Sequence, residues 1–250
     1  MDERIKTDKE TEGAARLPRL GLAGRVLLLI VAFVLLAEDE APLFDNAAAL
    51  MAGDLEVMTR LVRTLVLAGF GTAIIGHSQP ASQSEHLVSH FLDMFEKPTR
   101  PLVYHGEQVG VTTLSMARLQ ARMLDAPPVL HADTTSETDL ISRYGEVLGR
   151  SCWQEFSKKR ITAEKAEELN ARLNSEWSGI STRLSEVMLP PEYLKDVLAA
   201  AGAPTIPADI HLDRGDYETA ILCCREIRNR FTILDLAASA RRLPLLTPTL

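Results

Sequence analysis

The feature that most limits the possible folds is the lack of strand-forming segments after residue 40. No run of alternating β-branched residues there is long enough to build a sheet. Helical signals occupy the same part of the chain. Asp54 can cap a long helix, Thr162–Ser175 is rich in strong helix formers, and a segment that begins with Pro191 ends at Gly202. The sequence therefore predicts an all-α multi-helix bundle.

Two of these helices can be described further from their apolar residues. The helix after Asp54 is expected to end or bend at Gly69-Phe70-Gly71. Its apolar stripe consists of Leu55, Met58, Leu61, Val62, Leu65 and Val66. The next helix, capped by Ser82 or Ser84, is expected to run to about Phe95. Its inward side chains would be Leu87, Phe91 and Met94.

The N-terminal residues differ from the rest of the chain, so we divide it into an atypical segment, 1–35, and a helical domain, 36–250. Met1–Arg19 is charged and lacks apolar periodicity, which is typical of a disordered tail. Val26–Ala37 is uncharged but shorter than the about 20 apolar residues of a membrane-spanning helix. It is a buried strand or helix, a signal or anchor, or a fused or frame-shifted start; we favour the first, which makes a membrane partner unlikely.

The composition argues against a nucleic-acid partner and indicates a reducing compartment. The formal net charge is −7 and 5% of the residues are aromatic, whereas phosphate binding needs basic clusters and base stacking needs aromatic rings. The three cysteines, Cys152, Cys223 and Cys224, do not have the pattern of a disulfide framework. We therefore expect a cytoplasmic protein.

The histidines are concentrated in one stretch, Ile74–Arg118, which holds four of the six in the chain. His86 and His90 stand four residues apart, so both project from one helix face, and His105 follows after a proline-broken loop. Neutral imidazoles in this pattern can begin a transition-metal site. The alternative is two partly exposed histidines on an amphipathic helix and a third in a loop.

Three ordered blocks carry a resemblance to a known family. They are SQPASQSEHLVSH (78–90), YHGEQVGV (104–111) and REIRNRFTILDLA (225–237). Together they resemble the metal-binding part of the sn-glycerol-1-phosphate dehydrogenases, which belong to the wider iron-containing alcohol dehydrogenase and glycerol dehydrogenase group. The resemblance covers about Leu36 to Arg242.

The resemblance implies a fold and a set of site residues. The fold would be the C-terminal metal-binding domain of that group, without the N-terminal α/β nucleotide-binding domain. His86 and His105 would bind a divalent metal, with zinc preferred over nickel or iron. His90 would be the catalytic residue beside the substrate, and Ser78 and Ser82 would lie in the substrate-side loop. The cofactor would be NAD or NADP, and the substrate a small phosphorylated polyol: glycerol 1-phosphate or dihydroxyacetone phosphate.

The sequence departs from the family in its upstream part. Residues 1–35 contain no strand, Gly-rich loop and helix in succession, and neither Asp45 nor Asp54 stands in the family's setting for an aspartate ligand. We therefore expect a truncated oxidoreductase that is not active alone. The alternative is a non-catalytic helical interaction module derived from that domain. Without the upstream half, the face that would meet it is uncovered, including part of the Ala41–Leu67 helices and the Ile74–Ser82 loop, and we expect homo-oligomers or self-association.

One basic cluster has two interpretations. Arg225, Arg228 and Arg230 could face an anionic substrate, or they could reflect the general preference for basic residues in the last turn of a helix. We favour the second interpretation.

Overall fold

The computed structural model describes residues 38–76, 78, 81–95 and 100–246, and most of these residues are helical. The α-helices are α1 (38–45), α2 (Ala47–Met51), α3 (Leu55–Ile75), α4 (Ser84–Met94), α5 (His105–Leu124), α6 (Glu137–Tyr144), α7 (Glu146–Phe156), α8 (Ala163–Val187), α9 (Pro191–Ala200), α10 (Arg214–Cys223), α11 (Ile233–Ser239) and α12 (Leu243–Leu246). Short 3-10 turns cover Ser157–Lys159, Pro207–Ile210 and Cys224–Glu226. The described residues contain no strand, so the all-α prediction is confirmed. The segment 1–35 and the apolar run Val26–Ala37 lie outside the described residues.

Several helices begin where the sequence predicts, because local capping groups determine these ends. The Asp54 carboxylate accepts the backbone N–H groups of Glu56 and Val57 at the start of α3. The Thr162 hydroxyl accepts from the backbone N–H of Lys165 at the start of α8. Each cap satisfies N–H groups that have no partner within the helix. Pro191 is the first residue of α9, as predicted.

Some helix ends differ from the prediction. The α3 helix continues through Gly69-Phe70-Gly71 to Ile75 and ends at Gly76, whose φ of 83° lies in the left-handed region that glycine adopts without strain. A glycine inside a helix costs only about 1 kcal/mol, which the rest of a long helix can offset. The α4 helix has Gln83 at its N-cap position without a side-chain cap, so the prediction that Ser82 or Ser84 caps it is wrong.

The main core forms around α4 and α5. The α4 helix packs against α5 and α10, and α5 also contacts α9 and α11. The buried α4 residues include Leu87 and Phe91, as predicted, whereas Met94 is exposed. Other fully buried side chains of this core are Val88, Val111, Leu119, Leu140, Phe156, Ile221 and Leu234. One face of α4 is therefore fixed in the core, and its other face is left for polar side chains.

A buried ionic network attaches the C-terminal segment to the bundle. The Arg225 guanidinium donates to Asp133 Oδ2 at 2.6 Å and to Asp235 Oδ1 at 3.4 Å, and it lies over the Phe156 ring. Burial alone would raise the pKa of Asp133, but the Arg225 charge and the Thr135 backbone N–H hold it below its ordinary value. Arg225 is thus a buried residue whose guanidinium is held by two carboxylates and an aromatic ring.

The α3 helix has an exposed apolar face. Leu55 is 78% exposed, Val62 59% and Leu65 62%. By length and composition alone, α3 is also long and apolar enough to cross a membrane. One such helix is weak evidence for a membrane protein. The exposed face is the larger part of the apolar stripe predicted from the sequence.

Helices α6 and α7 approach each other closely at Gly149. A Cβ atom at this position would lie 2.5 Å from the Ile141 Cα atom and 2.7 Å from the Leu140 backbone oxygen. Backbone atoms cannot move aside as a flexible side chain does, so the packing of α6 on α7 requires glycine here.

A matched pair of glycine substitutions tests this packing. Gly149→Ala is expected to lower the free energy of unfolding by roughly 1–3 kcal/mol through overpacking. Gly179→Ala, on α8 with open space around it, is expected to raise that free energy by about 0.5–1 kcal/mol through helix propensity. Urea denaturation followed by circular dichroism measures both. Equal effects of the two substitutions would contradict the close approach.

Candidate metal centre

Three imidazole rings lie together at one end of the α4–α5 pair. The ring centroids of His86 and His105 are 5.3 Å apart, those of His90 and His105 5.7 Å, and those of His86 and His90 6.4 Å. His86 and His90 project from α4 because they are four residues apart, and His105 is the first residue of α5. The fourth histidine of this stretch, His77, lies outside the described residues.

The His86 ring is oriented by the residue before it. Its Nδ1 atom lies 2.8 Å from Glu85 Oε1, which also accepts the Gln83 backbone N–H at 2.7 Å. Since a carboxylate only accepts hydrogen bonds, the proton in this contact lies on Nδ1, and Nε2 is the ring nitrogen left for another partner. A carboxylate on the other nitrogen is the usual support of a histidine that binds a metal.

The His105 ring is oriented from the neighbouring helix. Its Nδ1 atom lies 3.0 Å from the Ser89 hydroxyl oxygen, and this hydroxyl donates to Gln108 Oε1 at 2.7 Å. Ser89 is fully buried on α4 and Gln108 is buried on α5. The contact therefore joins the two helices directly beneath the histidine cluster.

The His90 ring has a different environment. Burial and the nearby charge of Arg228 lower the pKa of His90 from its ordinary value of 6.5, with a smaller opposite effect of Asp93. His90 is consequently neutral at pH 7, and a neutral imidazole can accept a proton or a hydrogen bond.

The cluster offers two imidazole donors of the type that divalent transition metals bind. Neutral imidazole nitrogens suit zinc, nickel and iron, and the Nδ1 atoms of His86 and His105 each have a hydrogen-bonding partner. Within the described residues, no group of three or more His, Cys, Asp or Glu side chains is arranged to hold an ion. Asp45 and Asp54 have other partners: Asp45 accepts from the Tyr193 hydroxyl at 3.0 Å, and Asp54 caps α3.

The serines of the predicted substrate-side loop are held by a distant arginine. Arg230 donates from one guanidinium nitrogen to the Ser82 backbone oxygen and, at 3.0 Å, to the Ser82 hydroxyl oxygen. Its other terminal nitrogen donates to the Ser78 hydroxyl oxygen at 3.0 Å. Because both hydroxyls accept from Arg230, each can still donate a hydrogen bond of its own.

A cavity of about 350 Å³ lies beside this arginine. It is lined by Met94, Glu155, Ile227, Arg228, Asn229 and Arg230. Two of the three arginines in the basic cluster thus face a cavity, while Arg225 is buried in the ionic network. Arg225 stands in the last turn of the 3-10 helix that follows α10, which agrees with the helix-dipole interpretation, and its side chain is held by its carboxylate partners.

Sequence reasoning missed Ser89, Gln108 and the role of Arg230 in this site. The spacing of the first two contained a usable signal. Ser89 follows His86 by three residues and Gln108 follows His105 by three, so each shares a helix face with a histidine. The contact of Arg230 with Ser82 spans 148 residues of sequence and has no local signal.

Comparison with known proteins gives one consistent result. Over 193 residues the chain is 29% identical to the glycerol-1-phosphate dehydrogenase (NAD(P)+) of Halorubrum lacusprofundi, which covers 77% of this chain and 36% of that protein. It is 43% identical over 75 residues to the glycerol-1-phosphate dehydrogenase (NAD(P)+) of Pyrococcus furiosus, covering 30% of this chain and 20% of that protein. The matches lie in the C-terminal part of these relatives. No family model matches the chain.

Proposed function

We propose, because this chain is homologous to the C-terminal part of the glycerol-1-phosphate dehydrogenases, that it supplies the metal- and substrate-binding half of such an oxidoreductase. The chain spans about a third of the length of the Halorubrum lacusprofundi relative. We therefore propose the activity of the whole enzyme for the protein that contains this half, with NAD or NADP as cofactor, in the cytoplasm.

The observation that supports this proposal most directly is the paired orientation of His86 and His105. Each ring has its Nδ1 atom engaged by a fixed partner, at 2.8 Å and 3.0 Å, and the two ring centroids are 5.3 Å apart. Two solvated histidines on a helix surface would not need such partners. We infer that these two residues would hold the metal, with zinc preferred and nickel or iron as alternatives.

The remaining site residues have roles that follow from their charges. When bound, the metal supplies a Lewis acid that polarises the oxygen of the secondary alcohol or ketone during hydride transfer. We infer that His90, whose pKa is lowered by burial and by Arg228, takes up or returns the hydroxyl proton. Ser78 and Ser82 would donate hydrogen bonds to the substrate from the loop that Arg230 holds.

The cavity beside Arg228 and Arg230 supports the proposal that the substrate is an anion. A guanidinium binds phosphate through several N–H groups in a fixed plane, and two such groups line this cavity. We therefore propose a small phosphorylated polyol, glycerol 1-phosphate or dihydroxyacetone phosphate, as the substrate.

Metal binding tests the proposed site. We expect the purified chain to bind Zn²⁺ or Ni²⁺ with micromolar or tighter affinity in calorimetric titration. His86→Ala and His105→Ala should each weaken binding by at least about tenfold, because each removes one of two imidazole ligands. His131→Ala, which changes a histidine outside the cluster, is the matched control. No binding heat in the unsubstituted chain would refute the site.

Catalysis by the chain alone is a separate question. Hydride transfer needs a bound nicotinamide, and the described residues contain no strand and hence no strand–loop–helix unit for a dinucleotide. We propose that these 250 residues bind metal without turnover. In a spectrophotometric assay, the metal-loaded chain is expected to show no oxidation of NADH or NADPH with dihydroxyacetone phosphate. Turnover that is lost in His86→Ala would contradict this prediction.

A second candidate function is a non-catalytic helical interaction module. The exposed apolar face of α3 favours it, since contiguous apolar patches of this kind mark interaction sites. The two candidates agree on one consequence: the face should attract a second copy of the chain.

Self-association through α3 can be measured directly. Multi-angle light scattering is expected to give a mass above that of the 27.5 kDa chain, increasing with concentration. Val62→Glu together with Leu65→Glu should shift the protein towards monomer, because charges within the apolar face oppose its burial. Val147→Glu, at an exposed apolar residue on α7, is the control. A monodisperse monomer at all concentrations would exclude this association.

A further inference from the structure

Three further side chains extend from His105 through the interface between α4 and α5. Ser89 Oγ lies 3.0 Å from His105 Nδ1 and 2.7 Å from Gln108 Oε1, and Gln108 Nε2 lies 3.1 Å from Asp93 Oδ1. Ser89 and Gln108 are buried, whereas Asp93 is at the surface. We call Asp93, Gln108 and Ser89 the relay.

The donor and the acceptor of each hydrogen bond in the relay can be assigned by starting from Asp93, the residue at the surface. An ionised aspartate can only accept, so Gln108 presents its NH₂ group to Asp93 and its carbonyl oxygen to Ser89. The carbonyl oxygen can only accept, so the hydroxyl proton of Ser89 points to Gln108. Ser89 is then left to accept from His105, and Nδ1 of His105 must carry the proton.

We propose that Asp93, Gln108 and Ser89 are positioning residues that hold His105 as the Nδ1–H tautomer, with the Nε2 lone pair available as a metal ligand. The inference rests on the metal site proposed above. Partners of this kind fix both the tautomer and the ring orientation of a ligating histidine. Asp93 acts on His105 through two neutral side chains, Gln108 and Ser89.

The relay also explains why two buried polar side chains lie in the α4–α5 interface. A buried hydroxyl or amide is costly unless it is hydrogen-bonded. A pair of apolar residues would pack the interface at least as well. Ser89 and Gln108 satisfy each other, and the remaining capacity of Ser89 is directed at His105.

The tautomer can be measured without any metal. In the ¹⁵N-histidine-labelled full chain at neutral pH, long-range ¹H–¹⁵N correlation spectra should show His105 as the Nδ1–H form. Ser89→Ala removes the acceptor, and His105 should shift towards the Nε2–H form that free histidine prefers. Gln108→Leu leaves the Ser89 hydroxyl free to donate to Nδ1, which should cause the same shift. An Nε2–H signal in the unsubstituted chain would overturn the proposal.

Zn²⁺ titration of the same variants gives the second measurement. Ser89→Ala and Gln108→Leu should each weaken binding about 10–100-fold. Ser115→Ala is the matched control, because it removes a buried hydroxyl on α5 that bonds Tyr217 at 2.8 Å, away from the cluster. Circular dichroism verifies that each variant is folded. If one relay variant does not fold, the tautomer signal of the other variant still tests the proposal.

The outcomes separate this inference from the proposed metal site. Unchanged affinity in Ser89→Ala, together with lost affinity in His105→Ala, would overturn the relay and leave the metal site standing. Unchanged affinity in His105→Ala would overturn the metal site and, with it, the role of the relay in ligand positioning. Weakening in both supports the two proposals together.

Discussion

The packing of α4 against α5 is the interaction on which the rest of the structure depends. Leu87 and Val88 of α4 and Val111 of α5 are almost completely buried in the shared core. Beside them the Thr112 hydroxyl donates to the Glu85 backbone oxygen at 3.0 Å. This bond lies one residue from His86, so the apolar packing that stabilises the fold also sets the position of the histidine cluster. A helix pair with the same core but another register would separate the three rings.

The C-terminal segment completes the site from a long distance along the chain. Arg225 anchors this segment in the interior through Asp133 and Asp235. Five residues later, Arg230 holds Ser82, and the pair is separated by 148 residues of sequence. The first contact is a buried, charge-assisted one, whereas the second lies nearer the surface. The loop beside the cluster is therefore held by a segment whose own position the core determines.

Much of the helical pattern could be predicted from sequence because local chemistry decides it. The caps at Asp54 and Thr162 act within three residues, and the shared face of His86 and His90 follows from helix geometry alone. The continuation of α3 to Gly76 could not be predicted, since a glycine inside a helix and one at its end look alike locally. The different positions of Arg225 and Arg230 depend on partners that only the folded chain brings together.

Helix α4 carries two of the three histidines and contacts the ring of the third. His86 and His90 belong to this helix, and the partner that orients His86 is the adjacent residue Glu85. His105 belongs to α5, yet its Nδ1 partner is Ser89 of α4. The opposite face of α4 is fixed in the core by Leu87. The His105 ring is therefore held both by its own helix and by Ser89 of α4, so its position relative to the other two rings depends on the packing of α4 against α5. A cluster near the surface thereby has the fixed ring geometry that the proposed metal site would require.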